Sequence, residues 1–288
     1  MKSGFRVVAA TIAAIGLGIC LALAVPGASA LAQTQADIDR CTNKDRSYSP
    51  DLEIKGCTAA IKSNRWSGAD IAWAYRNRGL AYGYERDFDH AIADLEQSIK
   101  LDPKPAIAHL SLGNMFAAKG EIPRAITSLD RAIELDPKYA AAYRDRGIIY
   151  DHKGDYDRAI ADLTKAAELN PTEPHFFNSL CWTRAAAGRD LQKALEACNK
   201  AVSLAPQGQT GYVMNSRGLV QFKLGDYAKA IEDFSAAIAQ DPKDADSLYA
   251  RGISKLRAGD RSSGASDVAA AKLINPNIAD PWTAVGVK

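Results

Sequence analysis

Residues Ala140 to Glu173 read AAAYRDRGIIYDHKGDYDRAIADLTKAAELNPTE. Tyr143, Gly147 and Tyr150 are spaced four and three apart, so they share one stripe of a helix. Lys153-Gly154-Asp155 forms a turn, Ala159, Leu163 and Ala166 line a second helix, and Pro171 ends the unit. The punctuation recurs along the chain. Asp-Pro or Asn-Pro stands at Asp102-Pro103, Asp136-Pro137, Asn170-Pro171, Asp241-Pro242 and Asn275-Pro276, with Ala205-Pro206 in the gap. Successive prolines are 34 apart except for Pro171 to Pro206, 35, and Pro206 to Pro242, 36. A fixed period of this length is the mark of stacked helix pairs.

The pattern resembles the tetratricopeptide repeat, which carries an aromatic at position 4, a small residue at 8, an aromatic at 11, alanine at 20 and 27, a large apolar residue at 24 and proline at 32. Gly79, Gly113, Gly147, Gly218 and Gly252 take position 8, and Ala91, Ala125, Ala159, Ala194 and Ala230 take position 20. The resemblance implies an all-α, right-handed superhelical solenoid of antiparallel helix pairs, about seven pairs plus a short C-terminal helix. Its six units span 72–105, 106–139, 140–173, 174–208, 211–244 and 245–276. A divergent pair (31–71) precedes them: Ser49-Pro50-Asp51 opens its second helix as cap, first-turn proline and first-turn acid. Residues 277–288, with Trp282 and Gly286 in register, read as a truncated capping helix over the last pair.

Residues 1–30 read as a targeting segment. Lys2 and Arg6 precede an apolar run from Val7 to Val25, and Ala28-Ser29-Ala30 supplies a cleavage site that leaves Leu31 as the first mature residue. The run is also long enough to stay as an uncleaved anchor. Both versions export the rest of the chain, to the periplasm or beyond. Of the 36 basic side chains, two lie in this segment, so 36 − 2 = 34 remain against 34 acids. A neutral mature surface argues against nucleic acid as the partner.

The unit at 174–208 carries one extra residue in its turn. Allowing for it, Cys181 falls at position 8 and Cys198 at position 24, and Cys41 and Cys57 take the same places in the N-terminal pair. Both positions face the contact between paired helices, and an oxidising compartment favours two disulfides over buried thiols or a reactive couple. Zinc is disfavoured, because no CxxC and no suitably spaced histidine accompanies either pair. A second covariation involves charge. Arg78, Arg146, Arg217 and Arg251 at position 7 go with Asp94, Asp162, Asp233 and Asp267 at position 23, whereas Leu112 and Leu180 go with Ser128 and Ala197. An Arg–Asp pair across each such hairpin is expected.

In this family the first helices line the concave face. Groove candidates at positions 2, 5 and 9 are Trp73, Arg76, Asn114, Arg144, His175, Asn178, Trp182, Tyr212 and Asn215, with Asp151, His152, Phe222 and Tyr249 beside them. Amides that bond a peptide backbone and aromatics that grip its side chains suit a protein or peptide partner. The two-carboxylate clamp of co-chaperone domains is missing: Arg76 is followed by Leu80, and Asn114 is preceded by Leu110. His90, His109, His152 and His175 lie on separate units, and no GxSxG, phosphate loop or CxxCH occurs. No metal, cofactor or catalytic residue is therefore expected. The reading is a non-catalytic interaction scaffold of the bacterial envelope. Its alternatives are a Sel1-like cysteine-rich repeat enzyme, which would show an enclosed pocket of converging polar groups, and a structural subunit of an envelope assembly. Intact-mass measurement of the exported protein should return residues 31–288 with four cysteines oxidised; retention of residues 1–30 would establish the anchor instead.

Overall fold

The computed structural model describes residues 35–288; the targeting segment expected over residues 1–30 lies outside them. Among the described residues all regular structure is helical, and no helix is long and apolar enough to cross a membrane. Helix α1 (35–42) pairs with α2 (Pro50–Lys62), and a single 3₁₀ turn, Gly68–Ile71, leads into the regular array. Six hairpins follow: α3 (Ala72–Tyr84) with α4 (Phe88–Leu101), α5 (Ala106–Ala118) with α6 (Ile122–Leu135), and α7 (Ala140–His152) with α8 (Tyr156–Leu169). The others are α9 (Pro174–Ala187) with α10 (Leu191–Leu204), α11 (Gly211–Lys223) with α12 (Tyr227–Gln240), and α13 (Ala245–Arg257) with α14 (Arg261–Ile274). A short α15 (Ala279–Ala284) comes last. Each helix packs on its partner and each second helix on the first helix of the next hairpin, which makes the molecule a solenoid.

The turn inside each hairpin is built locally. Gly154 adopts φ +75°, a left-handed conformation that reverses the chain in one residue. Asp155 then caps α8 by accepting from the amide of Arg158, and Asp87, Asp226 and Asp260 cap α4, α12 and α14 in the same way. In the fourth hairpin the turn glycine is Gly188, with Arg189 inserted before the helix-opening Asp190.

Close approach of the two helices is what the small residues provide. A Cβ on Gly147 would lie 2.9 Å from Leu163 Cγ and 3.3 Å from the Ala159 carbonyl oxygen, so the position-24 side chain fills the space a larger residue would need. The cysteine pairs use that same space. Cys181 and Cys198 lie at disulfide distance, Sγ–Sγ 1.97 Å and Cα–Cα 5.3 Å, and Cys41 and Cys57 likewise, at 2.01 and 4.5 Å. All four are fully buried. Sulfur from both helices thus replaces the contact of glycine with a large apolar side chain in the other hairpins. Gly56 tightens the first pair further, since a Cβ there would lie 2.6 Å from the Arg40 Cβ. Arg40 accordingly turns aside to Asp37, 3.0 Å away, which explains why the first hairpin lacks the Arg–Asp pair.

That pair is present in the other four hairpins where position 7 is arginine, each with aspartate at position 23. The guanidinium donates through Nε and Nη2 to both carboxylate oxygens: 2.7 and 2.8 Å for Arg78–Asp94, Arg146–Asp162 and Arg251–Asp267, and 2.9 and 2.6 Å for Arg217–Asp233. The third nitrogen, Nη1, reaches position 25 of the preceding hairpin. It meets Thr58 Oγ1 at 3.1 Å, Asp130 Oδ1 at 2.5 Å, Asn199 Oδ1 at 3.2 Å and Ser235 Oγ at 3.3 Å. One planar fork therefore joins three helices.

Replacing Asp94 alone with serine strands a largely buried guanidinium and should cost about 3 kcal/mol in urea unfolding. The double variant Arg78→Leu/Asp94→Ser copies the residues found at Leu112 and Ser128 and should recover most of that loss. Simple additivity of the two single changes would show that the pair does not interact.

Candidate functional site

The residues expected to line a groove lie on the first helices α3, α5, α7, α9 and α11, one from each successive hairpin. At the N-terminal end, Trp73 packs edge-on against Trp66, 5.8 Å between ring centres. Arg76 donates to Asn77 Oδ1 at 3.3 and 3.2 Å, while Asn77 in turn donates to the Cys41 carbonyl at 3.0 Å. Burial pulls the Arg76 pKa below its ordinary value.

Asn114 and Arg144 meet on a carboxylate the sequence reading passed over. Asp145 accepts from Asn114 Nδ2 at 2.9 Å through one oxygen, and from Arg144 Nε and Nη2 at 2.9 and 2.7 Å through the other. Its position 6 falls between two predicted groove positions, which is the only signal it carried. Farther on, His175 and Tyr212 stack at 4.8 Å with their rings 19° apart. The Oδ1 of Asn178 is buried without a hydrogen-bond partner, as is the Oδ1 of Asp151 on α7. Asn215 donates to Ser247 Oγ at 2.8 Å. Trp182 meets the indole of Trp282 edge-on, 5.9 Å between centres.

The last contact changes the expected picture of residues 277–288. Stacking on the end of the solenoid would place them three hairpins away from Trp182. Instead α15 packs against α13, Trp282 lies within 5.9 Å of both Trp182 and Phe234, and Leu273 and Ile274 of α14 stay exposed. Phe222 and Tyr249, expected to line an open groove, are buried at 8% and 6% exposure. Here too, α9 packs against α11 more extensively than any other first helix does on the next. That junction holds the two departures from the 34-residue spacing.

Among the described residues no three of the usual ligand types converge on a metal position. A cavity of about 610 Å³ is lined by α10, α11 and α12 on the outer side, where Arg217 is paired with Asp233 and Lys229 with Asp226. Burial lowers the His109 pKa, with no carboxylate beside it.

The architecture is that of an interaction solenoid: helix pairs of near-constant length, small residues at the hairpin contact and a continuous inner face. Three family models of the tetratricopeptide repeat match residues 76–138, 112–176 and 218–259, and the chain is a tetratricopeptide repeat protein. A comparison with curated protein sequences finds no match. Among solved structures, the Cut9–Hcn1 hetero-tetramer of the APC/C is similar over 90% of this chain and 52% of its own, with 18% identity and a TM-score of 0.67. This chain therefore spans about half the length of that relative. PilF of Pseudomonas aeruginosa matches over 76% and 99% at 22% identity and a TM-score of 0.62. YrrB, described as a TPR protein with an unusual peptide-binding site, matches over 66% and 95% at 25% identity and a TM-score of 0.50.

Asp151 supplies a pH test of the groove wall. Burial raises its pKa, and the Thr183 hydroxyl offsets this only in part. A raised carboxyl pKa means that ionisation penalises the folded state, so the cost is present above the unfolded value and absent below it. Asp151→Asn should be more stable than the parent at pH 7 and no more stable at pH 3, as read by thermal unfolding across that range.

Proposed function

We propose that this protein is a non-catalytic scaffold of the bacterial envelope that holds a peptide or protein segment in its inner groove. The observation that carries this reading is the polar cluster of Asn114, Asp145 and Arg144 at mid-groove, between Arg76 on one side and Asn178 on the other. Amide and guanidinium groups can hydrogen-bond the free carbonyl and amide groups of an extended segment. The buried, unpartnered Oδ1 of Asn178 offers an acceptor to such a backbone. Similarity to YrrB supports a peptide as ligand.

Export fits the cysteines. Two buried pairs at disulfide distance are stable in an oxidising compartment and rare in a reducing one. Each would close a loop of 16 or 17 residues, worth about 3 kcal/mol in the chain-entropy model. The paired charges of the outer cavity and the scattered histidines favour the scaffold over a repeat enzyme.

The test is affinity capture from periplasmic extract with the parent chain and two variants. Asn114→Ala with Asn178→Ala should lose the partner by at least tenfold, because both amides face the groove. Lys165→Ala with Glu168→Ala, an exposed pair on α8, should retain it. Retention by both variants would remove the groove from consideration.

A further inference from the structure

Residues 277–288 pack against side chains of the last three hairpins. Trp282 carries the contact. It is 2% exposed, sits edge-on to Trp182 of α9 and to Phe234 of α12, and donates from Nε1 to Asp246 Oδ1 at 2.7 Å. Ile278 and Val287 are buried at 1% and 0% on either side of it. The backbone beyond is held as well. The Lys223 side chain runs beside Gly286, within 3.9 Å of where a Cβ would stand, and its Nζ donates to the Ala186 carbonyl at 3.2 Å. Arg257 donates through Nε to the Lys288 carbonyl oxygen at 3.2 Å.

Four of the contacting residues stand at first-helix positions expected to line the groove, Trp182 at 9, Asp246 at 2, Lys223 and Arg257 at 13, while Phe234 is the position-24 core residue beneath them. They belong to three successive hairpins, so the segment lies across the inner face as a bound peptide would. Its effect on the wall is visible. In α13, Ser247–Ala250 and Gly252–Ser254 are all buried, so the helix is covered on both faces. In α7, which the segment does not reach, Ala142, Gly147, Ile149 and Tyr150 are buried on the hairpin side. Covering also pulls the Lys223 pKa below its ordinary value.

The attachment is of a kind that can open. Helix α15 has six residues and no side-chain cap, and Asp280, Pro281, Thr283, Ala284 and Gly286 are exposed. Only three buried apolar side chains are set against the ordering entropy of the whole segment. Being tethered, the segment competes at high effective concentration with anything else that enters.

We propose that residues 277–288 are an internal ligand of the groove. They close the subsite of Trp182, Lys223, Asp246 and Arg257 until a partner segment of the same chemistry displaces them: a tryptophan followed five residues later by a β-branched aliphatic residue. The proposal rests on the groove reading above and adds where the partner docks and what it must compete with.

The test uses the full chain and a fluorescein-labelled peptide of residues 277–288, titrated to about 1 mM, the effective concentration of a short tether. The Trp282→Ala chain, with its helix content checked by circular dichroism, should bind the peptide at least tenfold more tightly than the parent chain does. A peptide carrying the same Trp→Ala change should not bind. Equal affinity for both chains, or no binding to a folded Trp282→Ala chain, would overturn the proposal. If that variant fails to fold, hydrogen exchange on the parent chain decides. Amides of 278–287 should exchange at least a hundredfold faster than those of α13, and equal protection would mean the segment opens only when the protein unfolds. A parent chain that is dimeric and a Trp282→Ala chain that is monomeric would assign the segment to pairing copies and end the proposal. Failure of the peptide titration with capture still lost in Asn114→Ala/Asn178→Ala would leave the groove reading standing and remove only the internal ligand.

Discussion

The contact between position 8 of each first helix and position 24 of its partner decides the geometry of the solenoid. Glycine at 79, 113, 147, 218 and 252 lets Leu95, Leu129, Leu163, Phe234 and Val268 lie directly on the opposite backbone; a Cβ on Gly218 would stand 2.8 Å from the Phe234 ring. Two hairpins solve the same packing problem with cysteine on both sides. The sulfur atoms occupy the volume of the large side chain, which is why both pairs fall at equivalent positions. A staple could be placed elsewhere on a hairpin only by displacing a packed side chain.

Close approach also sets up the electrostatics. With the paired helices drawn together, a guanidinium at position 7 spans to position 23 in a bidentate pair and still reaches the previous hairpin. Where position 7 is Leu112 or Leu180, the aspartate is absent too, so neither charge is left buried alone. The Arg–Asp pair and its third contact thus couple neighbouring units. In a solenoid, coupling of that kind gives cooperativity to units that would otherwise melt one by one.

Function follows from the inner layer, and there the two halves of the molecule differ. From α3 to α7 the proposed groove carries Arg76, bonded to Asn77, and the cluster in which Asn114 and Arg144 both donate to Asp145. From α9 to α13 residues 277–288 close over the aromatic wall. The close packing and the cover belong together: Trp282 can touch Trp182 because α9 and α11 pack closely enough to bring distant hairpins within reach of one indole.

Much of this was legible in the residues alone. The period of 34, the small residues at positions 8 and 20, the cysteine register and the correlated Arg–Asp positions each follow from local chemistry repeated at fixed spacing. The insertions at 35 and 36 marked where the array would depart from regularity. Their consequence could not be read, because curvature sums small rotations over several hairpins. The role of Trp282 was hidden for the same reason. By register it is an ordinary position-4 aromatic, and its contacts lie on residues 36, 48 and 100 positions away in the chain. The sequence by itself determined the helix pairs and how each one closes, since those contacts lie within a single repeat. Only the tertiary structure decided which part of the groove is open and which is filled, since that depends on how the repeats add up.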